Sequence, residues 1–108
     1  MTLKNFILLI EATELTPALE EPLIQGGYVC DLLSFVISRV GPEQAWITIQ
    51  SHENVVAVAE LTEAACVVIA EEVAVPESVI ESAKNRGVCL LSSPLTSFEI
   101  CARLGREL

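Results

Sequence analysis

Three short apolar runs, joined by stretches with helical character, constrain the fold of this chain more than any other feature. The runs cover 46–49, 66–70 and 88–91, and each ends in a polar turn. A helix predicted over Glu53–Thr62 joins the first two, and a helix starting at Pro76 joins the last two. Strands joined by crossover helices run parallel. The sequence therefore predicts an α/β fold with a mostly parallel sheet of four or five strands flanked by helices.

Composition supports a single domain, taken as residues 1–108, and limits its binding partners. Apolar residues make up 52% of the chain and aromatics 5%, so a core of aliphatic side chains is expected. The net charge of −9 argues against binding to nucleic acid or to anionic membrane surfaces. The apolar run 6–10 is too short to span a bilayer and no cleavage pattern follows it, so we expect a cytoplasmic protein.

Caps, prolines and glycines place the remaining elements. They are a helix over Leu3–Glu11, a short strand near Glu14–Leu15, a strand over Tyr28–Cys30, a helix over Leu32–Val40 and a last helix ended by Gly105. The predicted helix caps are Thr2, Asp31, Ser51 and Thr96.

The predicted helix Leu32–Val40 is apolar almost all round. Only Ser34, Ser38 and Arg39 in it are polar. A helix of this kind is expected to be buried on most of its circumference, against the sheet or against a second subunit. Its apolarity favours a homodimer.

The four cysteines are widely spaced. They are Cys30, Cys66, Cys89 and Cys101, and no two stand within a few residues of each other as metal or redox pairs usually do. We interpret Cys66 and Cys89 as small buried hydrophobic residues of strands. A redox or metal site assembled in three dimensions is the alternative.

Three loops are predicted to meet at the carboxyl ends of the strands: 50–54, 71–73 and 92–94. The first holds the only histidine and the start of a helix, whose free N–H groups favour an anion such as phosphate. The candidate ligand-binding residues are Gln50, Ser51, His52, Asn54, Ser92 and Ser93. Ser51, Ser92 or a cysteine as a nucleophile is a third interpretation, but no residue orients the imidazole, so no catalytic residue is assigned.

The second of these loops carries two adjacent carboxylates, Glu71 and Glu72. They repel phosphate and could hold Mg²⁺. Adjacent side chains in a loop rarely face one ion, so a solvated acidic turn is the favoured interpretation and no metal site is assigned.

Several segments, in this order and spacing, resemble the DRTGG domain family: 26–34, 46–59, the helix after Pro76, and 91–99. The resemblance covers about residues 26–104. It implies a fold similar to the amino-terminal domain of HPr kinase/phosphorylase, a regulatory or ligand-sensing role and frequent dimer formation. Relatives occur alone, or fused to CBS domains or to phosphotransacetylase-like enzymes. The kinase activity of the HPr enzyme lies in a separate P-loop domain, and no G-x-x-x-x-G-K-[ST] stretch is present here.

The chain departs from the family pattern at two loops. The loop 50–54 lacks the arginine of the family, and Glu71-Glu72 stands where relatives often carry paired glycines. Arginine would bind phosphate bidentately, and glycines would let it approach the backbone.

We therefore predict a non-catalytic regulatory or protein-interaction domain that self-associates as a homodimer, with a partner protein as a further ligand to test. The alternative is a small-molecule sensor for an adenine nucleotide or another phosphate compound. No cofactor is assigned beyond such a nucleotide.

Overall fold

The computed structural model describes all 108 residues, built around one five-stranded sheet. The strands are β1 (Thr13–Thr16), β2 (Gly26–Val29), β3 (Gln44–Thr48), β4 (Cys66–Ile69) and β5 (Leu90–Ser92). Their order in the sheet is β1-β5-β4-β3-β2. Strands β2 to β5 are parallel and β1 is antiparallel to β5. The predicted mostly parallel α/β fold is confirmed.

Five helices cover the two faces of the sheet. They are α1 (Leu3–Leu9), α2 (Leu33–Arg39), α3 (Glu53–Thr62), α4 (Glu77–Arg86) and α5 (Ser97–Glu107). Helices α1 and α5 contribute to one apolar cluster, and α2, α3 and α4 to the other. No helix has the length and continuous apolarity needed to cross a bilayer.

Strands β3 and β4 are buried on both faces, which explains their unbroken apolar sequence. Alternate residues serve opposite clusters: Ile47 packs with α1 and α5, whereas Trp46 packs with α2, α3 and α4. The indole Nε1 of the fully buried Trp46 donates a hydrogen bond to the carbonyl of Cys30 at 2.9 Å. This bond ties the end of β2 to the core.

Two predicted helix caps are wrong. Leu32, not Asp31, occupies the cap position of α2 and makes no side-chain cap bond, because the Asp31 carboxylate is engaged by β3. The cap of α3 is His52 rather than Ser51. The predictions for Thr2 and Thr96 are confirmed, since their hydroxyls accept the N–H groups of Asn5 and Glu99 at 3.1 Å each.

Several predicted element ends also differ. Strand β2 covers Gly26–Val29 rather than Tyr28–Cys30, because both glycines pair with β3. Helix α1 ends at Leu9 rather than at Glu11, which has a left-handed backbone. Helix α5 continues through Gly105 to Glu107, because nothing crowds that exposed glycine and its neighbours favour the helix. Strand β5 begins at Leu90 rather than at Val88, since Val88 still donates its N–H to Ala83 of α4 at 2.9 Å.

The predicted burial of α2 against its own sheet is wrong for most of its surface. Only Val36 is buried within the helix. Leu32 is 56% exposed, and Phe35 and Ile37 are 48% exposed each. The reason is topological: β2 is the last strand of the sheet, so α2 has α3 on one side and no helix on the other.

Candidate functional site at the strand ends

The four parallel strands bring their carboxyl ends to one edge of the sheet. The register aligns Thr48 with Ile69, and Ile69 with Ser92. The loops after β3, β4 and β5 therefore leave adjacent strands at the same level, as the crossover pattern predicts. We call this end of the sheet, formed by the carboxyl ends of the parallel strands, the strand-end rim.

A hydrogen-bonded turn centred on Asp31 organises the β2–β3 part of the rim. The Asp31 carboxylate accepts the Thr48 hydroxyl at 2.7 Å and the Ile49 N–H at 3.0 Å. The Gln50 amide donates to the Asp31 carbonyl at 3.1 Å. Sequence reasoning missed this turn, although a polar residue that ends an apolar strand, such as Thr48, requires a partner when buried.

His52 lies exposed at the start of α3, and its side chain caps that helix. Its Nδ1 accepts the N–H of Asn54 at 3.2 Å. This bond occupies Nδ1, so Nε2 is the ring nitrogen left for an external partner. The side chains of Asn54 and, in part, Ser51 are accessible beside it.

The two serines after β5 have different environments. Ser92 is partly exposed at the rim. Ser93 is fully buried, and its hydroxyl donates to the carbonyl of Ile10 at 2.7 Å and accepts the N–H of Leu95 at 3.2 Å. The Ser93 hydroxyl thus connects the loop to α1 and does not face the rim.

The acidic turn after β4 has a backbone suited to glycine. Glu71 and Glu72 have φ values of 62° and 60°, in the left-handed region. The Glu71 N–H donates to the backbone carbonyl of Leu95 at 2.8 Å, and the Glu72 N–H donates to the backbone carbonyl of Ser93 at 3.1 Å. The conformation fits the paired glycines that the family resemblance implies at this turn.

The carboxylate of Glu71 also accepts the N–H of Ser97 at 3.4 Å. Ser97 is the first residue of α5, so an internal carboxylate already faces the start of that helix. An incoming phosphate at the β5–α5 loop would have to displace it. The start of α3 is therefore more accessible to an anion than the start of α5.

A cavity of about 610 Å³ lies at the other end of the strands from the strand-end rim, where β3, β4 and β5 begin. Its lining includes five glutamates and one arginine: Glu20, Glu21, Glu43, Glu60, Glu63 and Arg86. Arg86 pairs with Glu60 at 3.4 Å. The excess of carboxylates disfavours phosphate here. Sequence reasoning missed the cavity because its walls come from four distant segments.

All four cysteines are free. Cys66 and Cys89 precede the paired residues Val67 and Leu90 on adjacent strands, and both are buried. Burial, with smaller contributions from Glu14 and Glu21, raises the pKa of Cys89 to about 12. Burial and the neighbouring Cys89 raise the pKa of Cys66 well above its usual value. Both thiols are protonated at neutral pH and poor nucleophiles, which favours the structural interpretation.

No protein-family model and no curated protein sequence matches this chain. Among solved structures, the fold resembles the CBS and DRTGG domains of the regulatory region of Clostridium perfringens pyrophosphatase, complexed with the activator diadenosine tetraphosphate. The TM-score is 0.80 at 14% sequence identity, over 99% of this chain and 47% of that chain. This chain therefore spans about half the length of the matched chain. The likeness shows a DRTGG-like α/β fold, and at this identity it concerns the fold alone.

Proposed function

We propose that this chain is a non-catalytic regulatory or protein-interaction domain that self-associates as a homodimer. The observation that carries the proposal is a set of exposed apolar side chains on α2 and its cap residue, here called the α2 face. It consists of Leu32, Phe35 and Ile37, which are between 48% and 56% exposed. Several large apolar side chains exposed on one short helix exceed the scattered single ones that are usual on a monomer, and such surfaces mark interaction sites.

The distribution of charge supports the same proposal. Segment 26–42, which builds β2 and α2, contains one acid, Asp31, and one base, Arg39, so its net charge is zero. The rest of the chain carries the whole net charge of −9. Two copies with this net charge repel each other, and the neutral segment 26–42 is where they can approach with the least repulsion.

The test is sedimentation velocity over micromolar concentrations with two matched variants. We expect a dimer, and we expect Phe35→Glu to raise its dissociation constant at least tenfold, because a charge replaces a buried ring at the interface. Phe98→Glu is the control, since Phe98 is 81% exposed on α5, and α5 covers the face of the sheet opposite to α2. A protein of 11.7 kDa at every concentration would overturn the proposal.

A small-molecule sensor at the strand-end rim is the second candidate function. The matched regulatory region is complexed with an adenine dinucleotide activator. In this chain the start of α3 offers N–H groups beside Gln50, Ser51, His52 and Asn54, with Ser92 on the neighbouring loop. Ser93, the remaining candidate ligand-binding residue, is fully buried, and burial argues against its contact with a ligand.

Thermal unfolding with adenine nucleotides, with and without Mg²⁺, tests the sensor function. A ligand at a hundredfold its dissociation constant adds about 2.7 kcal/mol of stability. We expect Asn54→Asp to remove such a shift by placing a carboxylate at the helix start. An unchanged melting temperature with every nucleotide would eliminate this candidate and leave the homodimer untouched.

A further inference from the structure

The two outermost strands of the sheet, β1 and β2, differ in how they are protected against pairing with a strand of another molecule. At one edge, β1 carries a register shift between Glu14 and Thr16 and is followed by Pro17. A bulge, a charge and a proline are the usual protections against edge-to-edge pairing. At the other edge, β2 has the sequence Gly-Gly-Tyr-Val, with none of the three.

The hydrogen-bond pattern identifies which groups of β2 point outward. Cys30 donates its N–H to the carbonyl of Ile47 at 3.2 Å, so residue 30 faces β3. In a parallel ladder the N–H and C=O of one residue point to the same side, and the side alternates along the strand. Gly27 and Val29 therefore direct their backbone groups away from the sheet, which agrees with their exposure relative to Gly26 and Tyr28.

We propose that a second copy of this chain pairs with this edge, β2 against β2, antiparallel about a two-fold axis perpendicular to the sheet. Gly27 of each copy then lies opposite Val29 of the other, and each pair exchanges two backbone hydrogen bonds. Tyr28 lies at the axis. This register uses both outward-facing residues and joins the two sheets into one.

The α2 face is consistent with this arrangement. A two-fold axis perpendicular to the sheet keeps both α2 helices on the same face, on either side of the new strand pair. The flank of each α2 helix that faces the axis, with the exposed apolar side chain on it, is thereby brought toward the other copy. The side chain of Val29 itself lies at the seam, since it is 46% exposed on the edge strand. The inference rests on the proposed homodimer and specifies its geometry.

Amide hydrogen exchange measured by NMR as a function of concentration tests the backbone pairing directly. We expect the amides of Gly27 and Val29 to exchange at least tenfold more slowly at concentrations where the dimer dominates than on dilution. In an association through α2 side chains alone, these two amides remain solvated and exchange rapidly at all concentrations.

Matched edge variants supply the second measurement. Val29→Lys places a charge on the proposed seam and is expected to raise the dissociation constant of the dimer at least tenfold. Thr13→Lys is the control, because Thr13 is exposed on the protected β1 edge. Melting temperatures establish that both variants fold.

The outcomes separate this inference from the proposed function. A dimer in which Gly27 and Val29 exchange rapidly, and which Val29→Lys leaves intact, overturns the edge pairing while the homodimer stands. A monomer at all concentrations overturns both.

Discussion

At the scale of single residues, glutamate occupies every left-handed position that is not glycine: Glu11, Glu43, Glu63, Glu71 and Glu72. Such a conformation costs about 1–2 kcal/mol for a residue with a Cβ atom. Two of them gain a contact: Glu11 pairs with Arg103 at 3.1 Å, and Glu71 accepts the Ser97 N–H. The Glu72 side chain has no hydrogen bond or ion pair, so its strain has no local compensation.

Glycine at position 72 is therefore expected to stabilise the fold. We predict that Glu72→Gly raises the free energy of unfolding by about 0.5–1 kcal/mol, because relief of the left-handed strain exceeds the added entropy of the unfolded chain. Urea denaturation measures the change. Glu72→Ala is the control: it removes the same charge but keeps the Cβ atom. Equal stability of the two variants would contradict the explanation by strain.

At the scale of elements, one buried threonine attaches β1 to the sheet. The Thr16 hydroxyl donates to the carbonyl of Val88 at 2.6 Å and accepts the N–H of Leu90 at 2.9 Å. These bonds bridge the register shift between β1 and β5. The sequence predicts a short strand near Glu14–Leu15, but the partner strand and its direction depend on residues more than seventy positions away.

Removing that hydroxyl is expected to destabilise the edge strand strongly. Thr16→Val keeps the shape but leaves a buried carbonyl and a buried N–H unpaired, so we predict a loss of about 2–4 kcal/mol. Thr13→Val on the same strand should change stability by less than about 0.5 kcal/mol, because Thr13 is exposed. Chemical denaturation of both variants measures the difference, and a similar small effect in both would refute the role given to Thr16.

At the scale of the whole molecule, stability at alkaline pH depends on two neighbouring thiols, Cys66 and Cys89, that stay protonated in the folded state. In the folded state the pKa of Cys89 is raised from its ordinary value of 9.0 to about 12, and the pKa of buried Cys66 is raised as well. Above pH 9 the unfolded chain therefore loses thiol protons that the folded chain retains. Because the unfolded state then binds fewer protons, the free energy of unfolding falls as pH rises.

Alkaline unfolding should show this dependence. We predict that the Cys89 thiol lowers the free energy of unfolding by about 1.4 kcal/mol per pH unit between pH 9 and 12, with no contribution below pH 9. Denaturation under reducing conditions across this range measures it. Cys89→Ala should reduce the slope relative to that of the unchanged chain. Identical slopes in the two proteins would disprove the assignment to Cys89.

The strand–helix alternation, the parallel sheet and the α3 boundaries follow from sequence because each depends on local periodicity and on turn residues. The rim was predictable for a related reason, since parallel strands place their following loops at one edge. The roles within it were not: Asp31, His52 and Ser93 each bind backbone groups, and in two of the three cases the partner is distant in sequence.

A parallel sheet between helices is predictable from the chain alone, because consecutive apolar strands joined by crossovers have few other ways to bury their side chains. The position of β2 at an unprotected edge, and the absence of a helix on one side of α2, depend instead on how distant segments pack. Apolarity along the chain is a local property, whereas the surface that covers an apolar side chain depends on which segments become adjacent in space. For α2 the fold leaves that surface exposed.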